Sequence, residues 1–362
     1  MRGCLRANCT PLNVAVDARN LTRDHRGLGR YARALLRCFI QRDDISITLV
    51  SEKPLPWLRK RNIIKMIGSP SFGIASRIPA SSSVVWHPWN GVFLNGGTKH
   101  VCTIADLAPF RFASQDPVRR MHEQAPFATA VARADHIITL SHASKADLTT
   151  LLRVPHEKVS VTYLGVDESF KPDDSAPPAE LEGQPYFFFV GNPTEPRKNF
   201  ELLYRAFRRA WPQDDGPILA VLSEQDPELP RVIHLKLDSE DITGKENVHL
   251  RSLYGEAIAT VVPSLYEGFG LPVIESMACG TVVVAARASS IPEVAGEAAL
   301  LEDPYDELAW AQALVRVAND SSLRAKLREL GLQNAKRFRW DICSRQTQSI
   351  FEAVACAERN MP

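Results

Sequence analysis

Short apolar runs and helical patterns alternate along this chain. Leu12-Asn13-Val14-Ala15-Val16-Asp17 has the pattern of a strand. A polar loop holding Gly27 and Gly29 follows. Then Leu28, Tyr31, Leu35, Leu36, Phe39 and Ile40 fall on one helical face. Further strands are predicted over 45–50, 84–86, 101–104, 136–140 and 159–164. Ser141 and Ser144 stand where a helix N-cap is expected, ahead of a helix over 145–152. No repeat of solenoid period is present.

The second half repeats the style with stronger signals. Residues 186–190, 218–222, 257–262 and 281–286 are continuous apolar runs, as in strands buried on both faces of a parallel sheet. Helical patterns lie between and after them, over 200–210, 272–278 and 306–319. Lys171 to Pro178 is polar and proline-rich and separates the halves as a linker. The predicted fold is α/β, with two doubly wound Rossmann-like domains facing across a cleft. The first spans 1–170, the linker 171–184 and the second 185–340. Ligands of such domains bind outside the carboxyl ends of the strands, which makes the cleft the candidate site.

Composition narrows the class. The 362 residues suit two domains. Apolar residues at 45% and charged residues at 23% exclude disorder as the main character. A net charge of +1 argues against a general nucleic-acid coat. Seven cysteines, an odd count without CxxC spacing, predict reduced thiols rather than a disulfide framework or zinc site. The first eleven residues have no apolar run of signal-peptide length, and no 18-residue apolar stretch occurs. A cytoplasmic protein is expected.

Three strand-to-helix turns carry candidate chemistry. The most informative is Pro263-Ser264-Leu265-Tyr266-Glu267-Gly268-Phe269-Gly270-Leu271-Pro272-Val273-Ile274-Glu275. Its glycines permit close backbone approach, and the helix start offers free N–H groups to an anion such as a diphosphate. Glu267 on the loop and Glu275 in the helix are acceptors for vicinal hydroxyls of a sugar or ribose. The second is Gly191-Asn192-Pro193-Thr194-Glu195-Pro196-Arg197-Lys198-Asn199, whose two cations suit a departing diphosphate. Taken in isolation, the Arg-Lys pair fits a solvated basic loop with Asn199 as N-cap better. The third is Arg26-Gly27-Leu28-Gly29-Arg30-Tyr31, a Gly-rich turn open to either phosphate approach or ordinary turn chemistry.

Together these segments resemble retaining glycosyltransferases of family 4, with the two-domain GT-B fold. The resemblance extends to Val14-Ala15-Val16-Asp17-Ala18-Arg19, Ile104-Ala105-Asp106-Leu107-Ala108-Pro109, Gly165-Val166-Asp167 and Ser290-Ile291-Pro292-Glu293-Val294-Ala295-Gly296. It implies transfer of a hexose from a nucleotide diphosphate sugar to a hydroxyl, with retention, in polysaccharide or glycolipid synthesis. By this resemblance Lys198, Arg197 and Asn192 bind the donor diphosphate, Gly27 and Gly29 close over it, and Glu275 takes the ribose. Glu267 and the backbone N–H groups of Gly268, Phe269, Gly270 and Leu271 hold the donor sugar, and Asp106 faces the acceptor. No metal or other cofactor is implied, because cations and helix termini replace it. The implied partners are the nucleotide sugar and a sugar or lipid-linked acceptor. The resemblance also sends a last helix, 341–362, back to the first domain.

The chain departs from the family in three places. Ala105 stands where the family often has His; His87 is the candidate to compensate for it, against the alternative of a structural histidine. Asn192 replaces the family's first cation, and the stretch around 248–254 is shorter than the family's base-contacting region. The basic, apolar stretch 57–67 is a candidate for weak peripheral membrane contact, although Lys60 interrupts its apolar face. A non-catalytic sugar-nucleotide binder and a GT-B epimerase are the rival readings.

Overall fold

A computed structural model describes residues 11–24, 27–51, 57–97, 99–172, 179–236 and 248–357, with the backbone alone for 57–60 and 248. The core of the predicted linker, 173–178, and the thiols Cys4 and Cys9 lie outside the described residues.

Two parallel sheets organise the chain. The first has seven strands: β1 (Leu12–Asp17), β2 (Ile45–Val50), β3 (Gly73–Ala75), β4 (Val84–His87), β5 (His100–Ile104), β6 (His136–Thr139) and β7 (Val159–Val161). Their order is β3-β2-β1-β4-β5-β6-β7. The second has six: β8 (Tyr186–Val190), β9 (Ile218–Leu222), β10 (Val232–Leu235), β11 (Ala259–Val262), β12 (Val283–Ala286) and β13 (Leu300–Glu302), in the order β10-β9-β8-β11-β12-β13. The uninterrupted apolar runs are the central strands. Phe187, Phe188 and Phe189 on β8 and Val283 to Ala286 on β12 are fully enclosed. The winding reverses between β1 and β4 in one sheet and between β8 and β11 in the other. All three candidate loops leave strands at these reversal points, following β1, β8 and β11.

Several expectations need correction. Gly27 and Gly29 belong to the first turn of the helix Gly27–Phe39, not to the loop before it. The strand at 159 ends at Val161, and those at 257 and 281 begin at Ala259 and Val283. Strands β3, β10 and β13 and the helices Pro117–Arg133 and Ser321–Ala335 were not expected. Residues 57–67 form a helix that buries Ile63 and Ile67.

The helix Trp340–Cys356 packs on the first sheet's side of the molecule. Phe351 lies against Phe39 and Trp86, with ring centroids 6.0 and 5.8 Å away. The two chain crossings between the sheets touch: Val166 N–H donates to the Phe338 carbonyl at 3.0 Å.

Candidate active site

The turn after β11 places Glu267 against the turn after β8. Lys198 Nζ donates to Glu267 Oε1 at 2.6 Å, Arg197 donates to Oε2 at 3.2 Å, and the Ser264 hydroxyl donates to Oε1 at 2.8 Å. Burial opposes the Glu267 charge, but Lys198 and Arg197 outweigh it and hold the carboxyl below its ordinary value. Arg197 also pairs with Glu195 at 2.6 Å. Two cations, Lys198 and Arg197, and two carboxylates, Glu267 and Glu195, thus meet at the end of β8, so an anion arriving there would bond the cations in competition with the carboxylates.

Hydrogen bonds fix this geometry locally. Residues 196–198 form one 3₁₀ turn, and Asn199 closes it in the left-handed region at φ 53°. The Asn199 amide donates to the carbonyls of Pro263 and Pro304 at 3.2 and 2.8 Å, so it ties the loop down rather than capping the next helix. Ser289 and Ser290 hydroxyls hold the Glu267 carbonyl at 2.7 and 2.9 Å. Asn192 is not part of the cluster. Its Oδ1 accepts from Thr194 N–H at 2.9 Å and serves its own turn.

Asp106, at the end of β5, meets the same loop from the first domain. A Cβ at Gly268 would lie 2.7 Å from the Ala105 carbonyl oxygen and 2.8 Å from Asp106 Cβ, so only glycine permits this approach. Burial pushes the Asp106 carboxyl up, against its hydrogen bond from Ala108 N–H. Phe269 turns its ring into the core between Tyr163 and Phe338. Gly270, at φ 106°, starts the helix Leu271–Ala278, in which Pro272 has no N–H and the Val273 N–H donates to the Gly270 carbonyl at 3.0 Å.

Glu275 sits inside that helix, 2% exposed. Arg30 bonds its Oε1, and the Tyr254 hydroxyl donates to Oε2 at 3.0 Å. The short stretch around 248–254 thus supplies a buried phenol to the second carboxylate; residues 237–247 lie outside the described residues. Gly27 borders open space, whereas a Cβ at Gly29 would collide with the Asp24 carbonyl oxygen. Gly29 is therefore needed for packing of the preceding loop, and Arg26 lies outside the described residues.

Sequence reasoning missed Arg30, Tyr254, Tyr266 and Asp147. Tyr266, beside Glu267, inserts into the first domain. Its hydroxyl accepts from Leu107 N–H at 3.0 Å and donates to Asp147 at 2.7 Å. Its place in the strand-to-helix motif was the available signal. His87 is a structural residue. It is fully enclosed, stacks on His100 and lies 3.5 Å from Asp17. A cavity of about 600 Å³ elsewhere in the first domain, lined by Val50, Arg77, Leu94 and Gly97 among others, touches none of the candidate residues. Among the described residues no helix is long and apolar enough to cross a membrane.

Comparison with known proteins agrees with this architecture. The family model for glycosyl transferases group 1 matches residues 184–320. O-antigen chain mannosyltransferase B of Escherichia coli is 29% identical over 281 residues, 70% of this chain and 70% of that protein. MMP alpha-(1->4)-mannosyltransferase of Mycolicibacterium hassiacum is 30% identical over 260 residues, 68% of this chain and 61% of that protein. The Anabaena protein HepE, solved with UDP and glucose, superimposes with a TM-score of 0.70, covering 95% of this chain and 100% of that one at 14% identity. The shared fold is the GT-B arrangement of two Rossmann-like domains.

Proposed function

We propose that this chain, which belongs to the group 1 glycosyl transferases, moves a hexose from a nucleotide diphosphate sugar to a hydroxyl acceptor with retention, without a metal. Mannose is the first sugar to try, because two of its relatives are mannosyltransferases. The observation that carries the reading is the Glu267–Lys198–Arg197 cluster at the reversal point of the second sheet, with Asp106 facing it. Lys198 and Arg197 take the diphosphate and stabilise the charge that grows on it as it leaves. Glu267 and the N–H groups of 268–271 orient the sugar, and Glu275 takes the ribose hydroxyls. The departing phosphate oxygen then accepts the acceptor's proton, so no second flanking carboxylate is required.

A thermal-shift screen with UDP-, GDP-, ADP- and dTDP-sugars, without added metal, tests the donor site. One nucleotide raising the melting temperature supports it, because a ligand of the folded state must stabilise that state. The shift disappears in Lys198→Gln and Glu275→Gln. Stabilisation by none of the four, or equal stabilisation of both variants, refutes the assignment. Donor bound but neither transferred nor hydrolysed would identify a binding protein. Release of an altered free sugar without acceptor would identify an epimerase.

A further inference from the structure

Glu275 is already occupied, and its occupant comes from the opposite domain. Arg30 lies in the first turn of the helix Gly27–Phe39, whereas Glu275 belongs to the helix Leu271–Ala278, 245 residues away. With Tyr254 on the other oxygen, both atoms of the carboxylate are engaged. Arg30 is embedded beyond this pair: its guanidinium lies 6.0 Å from the Phe170 ring, and Asp167 adds a second negative charge. Both residues belong to the segment leaving the first domain, beside the crossing where Val166 meets Phe338.

The two domains have other fastenings to each other. Tyr266 binds Leu107 and Asp147, and the Ser144 hydroxyl donates to the Gly268 carbonyl at 3.4 Å. Glu293 accepts from His142 and Ala143 N–H, each at 3.0 Å, and from the Tyr163 hydroxyl at 3.0 Å. Closure therefore does not depend on Arg30. What sets Arg30 apart is the group it holds.

We infer that Arg30 is a placeholder: in the nucleotide-free protein it occupies Glu275, and a nucleoside diphosphate must displace it to bring its ribose onto that carboxylate. This inference rests on the reading of Glu275 as the ribose acceptor. It makes Arg30 a positioning residue that sets the threshold for donor entry.

Calorimetric titration of UDP, GDP, ADP and dTDP into full-length wild type, Arg30→Gln, Arg30→Lys and Glu275→Gln tests it, with small-angle scattering on each free protein. Arg30→Gln should bind the cognate nucleoside diphosphate about fivefold or more tightly, because a competing state is removed. Its radius of gyration should match the wild type. Arg30→Lys keeps a counter-charge for Glu275 and should fall between the two. In turnover, donor KM falls without a rise in kcat. Weaker binding in Arg30→Gln would make Arg30 a donor ligand, and unchanged binding would make the pair purely structural; either overturns the inference. If Glu275→Gln binds like the wild type, the ribose reading itself fails, whatever Arg30→Gln does. If no nucleotide binds the wild type, both fall.

Discussion

Replacing Glu267 with Gln separates the carboxylate's structural charge from its part in transfer. The substitution keeps shape and the acceptor oxygen for Ser264, but removes the charge facing Lys198 at 2.6 Å and Arg197 at 3.2 Å. The side chain is 10% exposed, so solvent screens little of this. Hydrogen bonds to a charged group contribute about 1.5–3 kcal/mol each, and the amide keeps part of each contact. A net loss of about 2–3 kcal/mol at neutral pH follows. The pH dependence gives the sign. The folded carboxyl titrates below its ordinary value of 4.5 because Lys198 and Arg197 overcome burial. Its contribution is complete above about pH 5 and is lost as the pH falls through the folded value. The gap between wild type and Glu267→Gln in calorimetric unfolding should therefore be full at pH 7 and narrow in acid. Lys198, freed of its counter-charge, and Arg197, still paired with Glu195, should still bind nucleoside diphosphate. Turnover should drop about a hundredfold, as when a preorganised polar group is lost from a reaction centre. A destabilisation equal at every pH would refute the charge argument. Loss of nucleotide binding in step with turnover would refute the sugar-holding role.

Other perturbations probe the scaffold around this cluster. Tyr266→Phe leaves Leu107 N–H and Asp147 without their shared hydroxyl and should cost about 1–3 kcal/mol, read from the urea midpoint; an unmoved midpoint contradicts the buried bridge. Gly268→Ala must push the loop off Ala105 and Asp106. It should lower turnover roughly tenfold to a hundredfold by misplacing the reacting groups, and wild-type kinetics would disprove the close approach. His100 is held down at about 4, first by burial and then by His87 and Arg133, against Asp135. The unfolded chain takes its proton near 6.5 and the folded chain only near 4, so stability should decline as pH falls across that window. His100→Asn should flatten the decline, and an unaltered slope would point to other groups.

The sequence was most readable where strands are buried on both faces. Tyr186 to Val190 and Ala259 to Val262 lie within apolar runs, and the candidate loops follow directly at their ends. Edges were not readable. Gly73–Ala75 has two exposed residues of three, and Val232–Leu235 is mostly half-buried, so neither needs a strong apolar signal. The helix Pro117–Arg133 was obscured by Pro126 within it and by an exposed first half. Within the site, residue types and turn positions pointed to Glu267, Lys198 and Arg197 because they share one strand-to-helix logic. Arg30 was quoted for its glycine neighbours instead. Its partner lies 245 residues away, and no local spacing encodes a pair that only the facing of two sheets creates.

That facing also explains why the two glutamates have different surroundings despite sharing one motif. Glu267 is neutralised from within its own domain, by the turn after β8, so its cluster persists whether the cleft is open or closed. Glu275 is neutralised across the cleft, by Arg30. A separation of the domains would take Arg30 from Glu275 and leave it the Tyr254 hydroxyl, a cost that exposure to water would offset. The second glutamate is therefore the one whose availability depends on the relative position of the domains. On the proposed reading, a ligand whose hydroxyls bond Glu275 takes the place of Arg30. On the proposed reading of Glu275, donor entry is coupled to this cross-domain pair, whereas the Lys198–Arg197–Glu267 cluster lies within one domain.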